Sequence, residues 1–167
     1  MGPLIRMLDQ STQLQRTNCG LNSEEAQIAG CSFDMMMVNW IPPECFNEQL
    51  SLRYYKSLKQ PVFFRDENLT EPIDDDPQTL SQYTDFWGSP EYHDVHCFYV
   101  IYQGVEAAVE ATRNERDVYL MSHATDTGHT EHCVNAIRES IRGVTDPTKI
   151  NRNNPQECVP VSSKTSR

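Results

Sequence analysis

Residues 1–18 are polar with only a weak helical period, the pattern of a stalk. Asn22 and Ser23 then precede Glu24 and Glu25, and Gly30 follows. A capping side chain, acids in the first turn and a closing glycine predict a short helix over 23–29. Between Cys31 and Cys45 the apolar residues crowd together as Met35, Met36, Met37, Val38 and Trp40, and Pro42-Pro43 follows. This reads as a buried run ended by a rigid turn. Leu50, Leu52, Tyr55 and Leu58 are the inward-facing candidates of a second helix over 46–60. Residues 66–77 hold four Asp, two Glu and two Pro and read as a loop. The triplet Asp74, Asp75, Asp76 reads as solvated, because nothing nearby completes an oxygen cage for a cation.

Ser89-Pro90-Glu91 is the clearest helix start, with an N-cap serine, proline at the first helical position and an acid in the first turn. It predicts a helix from about 90 to 113. Asp126 or Thr127 opens another, which Gly143 ends after Arg138 and Arg142. From Asp146 onward the chain is polar, and Cys158 is the residue there that can tie it down. The expected fold is mainly α: a small helical domain with long irregular loops. Residues 1–18 would form the stalk, 19–145 the domain and 146–167 a polar C-terminal tail.

Composition adjusts that picture. Apolar residues make up 38% of the 167, which leaves a thin core for one small domain. A formal net charge of −10 argues against nucleic acid and anionic lipid as principal partners, since both require a cationic surface. The longest apolar runs, 35–38 and 98–102, fall far short of the roughly 20 residues that span a bilayer. Residues 1–15 contain no signal-peptide core. Six cysteines, Cys19, Cys31, Cys45, Cys97, Cys133 and Cys158, are spread along the chain without a CxxC. An even count over a thin core predicts three intramolecular disulfides, so the fold should be disulfide-stapled. Asn68-Leu69-Thr70 is a glycosylation sequon on Asn68. Together these features favour the secretory lumen.

The chemistry is concentrated in the histidines. Four of the five sit in two copies of one pattern, His93-Asp94-Val95-His96-Cys97 and, 36 residues on, His129-Thr130-Glu131-His132-Cys133. On a helix, positions i, i+3 and i+4 share a face, so each copy points two imidazoles and a thiol the same way. Two such helices packed face to face bring four imidazoles together. Below the motifs the stripe continues through Val100, Gly104, Ala107, Ala108 and Ala111 on the first helix and Ala136, Ser140 and Gly143 on the second, small residues that permit close packing. His93, His96, His129 and His132 are the expected metal ligands. His123 is either a fifth ligand or a loop histidine. Tyr92, Tyr99, Tyr102, Trp87 and Trp40 lie near in sequence and are candidates for a pocket wall, with core packing as their commoner fate.

Imidazole suits zinc, copper, iron and nickel. Neither motif has the ExxH spacing of carboxylate-bridged iron sites. An all-histidine set with the thiols oxidised favours copper. Free thiolates would favour a structural Cys2His2 zinc site in a non-catalytic module.

The paired motifs resemble the signature of the UstYa-like family of fungal mycotoxin-biosynthesis proteins. Upstream pieces resemble it as well: Cys19-Gly20, Glu25-Ala26, Gly30-Cys31, Phe33-Asp34, the stretch from Trp40 to Cys45, and Phe86-Trp87. The likeness covers roughly residues 19–142. It implies a copper-dependent oxidase that tailors peptides or other secondary metabolites by cyclisation, hydroxylation, dehydrogenation or C–H halogenation. It also implies His93, His96, His129 and His132 as ligands, a lumenal domain behind a single N-terminal membrane anchor that this chain lacks, and a homologous partner protein. An accessory copper-binding role without activity of its own is the remaining alternative.

Overall fold

The computed structural model describes residues 19–20, 22–114 and 118–161, and the expected stalk over 1–18 lies outside the described residues. Helix α1 (Ser23–Ile28) starts where the Asn22 side chain accepts a hydrogen bond from the Glu25 amide at 2.9 Å. The Cys19–Cys31 disulfide ties its two ends together. Strands β1 (Ser32–Asp34) and β2 (Asn39–Ile41) then form an antiparallel hairpin with Phe33 opposite Trp40. The loop between them carries Met36 and Val38, both fully buried. The expected buried run is thus a hairpin that inserts its own tip into the core.

A 3-10 turn (Pro43–Cys45) leads to α2 (Glu48–Tyr55), which Asn47 caps. This helix is shorter than the expected 46–60. Leu50 and Leu58 are buried, the latter through the turn after the helix, while Leu52 faces solvent. Strand β3 (Phe63–Phe64), the short helix α3 (Pro77–Leu80) and strand β4 (Asp85–Gly88) follow. In the acidic loop, Asp76 caps α3, Asp75 accepts a hydrogen bond from the Tyr55 hydroxyl, and Asn68 is exposed in a turn held by Asp66. Helix α4 (Pro90–Asn114) is the longest element, with Ser89 accepting from the Tyr92 amide at its start. Gly88 lets that start close down on the sheet, because a Cβ there would lie 2.6 Å from the Tyr92 ring.

Strand β5 (Val118–Met121), the single turn α5 (Ser122–Thr125) and helix α6 (Thr127–Ile141) complete the helical part, with Asp126 as the N-cap of α6. The chain then returns as β6 (Thr148–Asn151) and β7 (Cys158–Val161). The described residues form three antiparallel sheets, in the orders β1-β2, β3-β4-β6 and β5-β7. The mainly-α expectation is therefore corrected to a mixed fold of helices and small sheets. Its strands run two to four residues, too short for a period-2 pattern to declare itself.

The segment expected as a polar tail supplies β6 and β7. It is held by three means that hydropathy does not register. β6 pairs along β4, the Cys45–Cys158 disulfide closes a loop of sequence separation 113, and Arg152 is buried. Arg152 donates from Nε to the Val38 carbonyl at 2.7 Å and from Nη1 to the Leu80 and Tyr83 carbonyls at 3.0 Å. Its guanidinium also lies 5.5 Å from the Phe33 ring centre. Carbonyl dipoles and a ring face thus meet this buried cation.

The core turns on Asp34. This fully buried carboxylate accepts hydrogen bonds from the Met36 amide at 2.8 Å, the Ser51 hydroxyl at 2.6 Å and the Tyr99 hydroxyl at 2.5 Å. Burial pushes its pKa above the ordinary carboxylate value, while these donors pull it back. The arrangement joins the β1–β2 tip, α2 and α4 in one polar knot. Asp34→Ala leaves buried donors without an acceptor and should lower unfolding free energy by about 3 kcal/mol or more. Urea denaturation checks this; a loss under about 1 kcal/mol would show the knot to be dispensable.

Candidate metal centre

The first turns of α4 and α6 lie side by side, and all five histidines gather there. Asp94 accepts from Ser140 at 2.5 Å, which fastens the two helices to each other. The small-residue stripe packs differently from expectation. A Cβ on Gly104 would stand 3.5 Å from the Ala124 carbonyl, so this part of α4 meets α5. Ala107 and Ala111 are buried, and Ala108 is exposed.

The imidazoles form two groups. His93 and His132 face each other on the open side, with Nε2 atoms 3.2 Å apart. Deeper in, the ligand-capable nitrogens of His96, His123 and His129 lie within 4.8 Å of one another. The groups adjoin, since the His129 and His132 ring centres are 6.0 Å apart. The open alternative for His123 thus falls on the side of the cluster: its ring centre is 3.6 Å from that of His129. Gln156 fixes it there, accepting from the His123 amide at 3.2 Å.

Ring orientation follows from hydrogen bonding. His96 Nδ1 is 2.7 Å from the Met36 carbonyl oxygen, which can only accept, so Nδ1 carries the proton and Nε2 keeps its lone pair. The Tyr92 hydroxyl donates to the same oxygen at 2.8 Å. His129 Nδ1 is buried and has no hydrogen-bond partner among the described residues, and its Nε2 lies 3.8 Å from Cys133 Sγ.

Burial pushes the pKa of His96 down to about 3 and that of His123 down to about 4, and it lowers that of His93 as well. Neighbouring imidazoles add to the fall. At neutral pH these three rings are neutral, the form in which imidazole binds a metal ion.

The structure forms two of the three expected disulfides. Cys97 and Cys133 are buried and unbridged. The Cys97 and Cys133 thiols are hydrogen-bonded to each other, a contact that lowers the pKa of one and raises that of the other. The third-bridge expectation is corrected accordingly: these two sulfurs are engaged in hydrogen bonds, to each other and to His129.

A cavity of about 260 Å³ opens onto all five imidazoles. Residues 148–152 of β6 and its exit form one wall, with Asn39, Asn154 and Gln156 beside them. None of these was singled out from the sequence. The density of amides over 151–156 was the available signal, whereas the Met36 carbonyl left none. Of the aromatic candidates, Tyr92 lines this cavity; Tyr99 and Trp40 are core, and Tyr102 is exposed. His93 and His132 also line a second cavity of about 320 Å³ with Ala136, Val144, Pro147 and Glu139.

Because His93, His96 and His123 titrate lower in the fold than in an unfolded chain, the unfolded state binds more protons between the two values. The stability they contribute is full above their ordinary value of 6.5 and is lost as pH falls toward about 4 and about 3. The urea midpoint of the metal-free protein should therefore drop between about pH 7.5 and about pH 4.5, and the drop should shrink in His96→Gln. An equal drop in both proteins would contradict the assignment. No family model, no curated protein and no solved structure matches this chain, so the centre is read from its own geometry.

Proposed function

We propose that this chain is a copper-dependent oxidase of the UstYa-like kind, tailoring a small molecule or peptide in fungal secondary metabolism. The observation that carries the reading is the convergence of five imidazoles, from the two repeated motifs and α5, on one cavity. The donor set fits a metal ion. Two nitrogens about 2.0 Å from one ion at a tetrahedral angle stand about 3.3 Å apart, and His93 and His132 stand 3.2 Å apart. The orphaned His129 Nδ1 is the kind of buried atom that a metal ion satisfies. His93 and His132 would hold an ion on the open side, and His96, His123 and His129 on the deep side.

Copper held there supplies one-electron cycling and reaction with O2, the chemistry that oxidises a substrate C–H or O–H bond. The chain's own part is positional. The Met36 carbonyl orients His96, Gln156 holds His123, and Asp94 with Ser140 clamps the two helices. The amide-rich wall offers donors and acceptors to a polar substrate beside the imidazoles. Two disulfides and an exposed sequon at Asn68 support a lumenal site for the domain.

The unbridged thiols favour the rival zinc module, because free thiolates are good zinc ligands. A Cys2His2 set requires both sulfurs to join two nitrogens, and Cys133 instead lies against the far nitrogen of His129. Among the described residues the group of three convergent ligands contains imidazoles alone.

Aerobic loading with copper and with zinc, followed by metal analysis, tests the proposal. Wild-type protein should retain copper in preference to zinc. His96→Ala and His132→Ala should each weaken copper binding at least about tenfold and abolish oxidation of the cognate metabolite, with little change in the melting of the metal-free forms. Preferential zinc retention, together with a metal-free wild type that does not fold, would establish the structural zinc site instead.

A further inference from the structure

The two HxxHC copies are alike in sequence and unlike in place. In the first copy, Cys97 is hydrogen-bonded across the helix pair to Cys133. In the second, Cys133 keeps contact with the first histidine of its own motif, one helical turn back, at 3.8 Å from His129 Nε2. Both sulfurs are fully buried.

A neutral imidazole carries one N–H and one lone pair. In the neutral form of His129 the proton has two possible seats. At Nδ1 it would be a buried donor with no acceptor among the described residues. At Nε2 it meets the Cys133 sulfur within the reach of an N–H···S hydrogen bond. The second arrangement leaves the Nδ1 lone pair free, on the ring that sits 3.6 Å from His123 and 5.6 Å from His96, centre to centre.

We infer that Cys133 is a positioning residue: its sulfur accepts the His129 Nε2 proton and so turns the Nδ1 lone pair into the histidine cluster. His96 is the mirror case, with its proton at Nδ1 on the Met36 carbonyl and its lone pair at Nε2. The deep triad thus presents nitrogens of opposite kinds from its two motif histidines. Each is set by a different partner, a backbone carbonyl for one and a sulfur for the other. Outer partners of this sort fix ring tautomer and raise ligand basicity. The role requires Cys133 to remain unbridged, because a disulfide sulfur is a poorer acceptor and its geometry is fixed by its partner.

The inference rests on the metal-site reading above only for its consequence; the tautomer itself is a property of the metal-free chain. The experiment has two arms on the whole protein. Long-range 1H–15N correlation spectra of metal-free wild type at neutral pH report the tautomer of each ring. His129 should be protonated at Nε2 and His96 at Nδ1, with two titratable thiols per chain. Cu(II) alone is the probe in the second arm. Cys133→Ala should weaken Cu(II) binding about 10- to 100-fold and alter the nitrogen hyperfine pattern in its electron paramagnetic resonance spectrum, with Cys97→Ala within about threefold of wild type. Cys133→Ser, which restores an acceptor of smaller size, should recover part of the loss.

Wild-type His129 protonated at Nδ1, or no free thiols in the native protein, would overturn the inference even if no variant folds. So would a Cys133→Ala protein with wild-type tautomers and wild-type Cu(II) affinity. A wild type that shows the expected tautomers and binds no copper would sink the metal reading and leave the positioning role standing.

Discussion

One backbone oxygen organises the centre. The Met36 carbonyl accepts from His96 Nδ1 and from the Tyr92 hydroxyl, and both donors are on the first turns of α4. Its own position is set by Asp34, which takes the Met36 amide, and by the tight approach of the β1–β2 tip to the core. Asp34 in turn is fastened to Tyr99, two turns further along α4. The hairpin therefore grips α4 at two heights through one short chain of hydrogen bonds. That grip orients the deepest imidazole. It also explains why a buried carboxylate is retained in a thin core: removing it would release the element that aims His96.

The second organising device is the pairing of α4 with α6, and it works by segregating roles around the helices. Imidazoles converge on one cavity, the thiols are buried, and the carboxylate of Asp94 bonds Ser140 across the helix pair. Asp94 and Asp126 pull the pKa values of His93 and His123 upward, against the effect of burial. Burial then dominates, and the rings of His96 and His123 stay neutral across the physiological range. The returning chain closes the centre from a third side, and the buried Arg152 and the Cys45–Cys158 bridge hold it there.

Much of this was legible in the sequence where the signal is local. Capping chemistry located α1, α4 and α6, because Asn22, Ser89 and Asp126 act within a turn of their own position. The duplicated motif exposed the histidine constellation, because i, i+3 and i+4 spacing converts directly into one helix face. The strands were hidden for the opposite reason. Phe63–Phe64 and Thr148–Asn151 are strands through their partners in β4, and no pattern of two to four residues carries that information. The tail over 148–161 looked free because its anchors are long-range: a disulfide, a buried guanidinium on carbonyls, and backbone pairing. Even cysteine count predicted three bridges, but pairing depends on which sulfurs meet with a suitable geometry. Cys97 and Cys133 meet as hydrogen-bonded thiols beside His129. His123 stood outside both motifs, and only the fold carries it into the cluster.

On the proposed function, imidazole nitrogen alone would hold copper, with the neighbouring sulfurs outside its coordination sphere. X-ray absorption at the copper edge of the loaded protein measures this directly. The expected spectrum has a shell of nitrogen or oxygen scatterers at about 2.0 Å, outer-shell features of imidazole rings, and no sulfur. A sulfur shell at about 2.3 Å would place Cys97 or Cys133 on the metal and contradict that coordination.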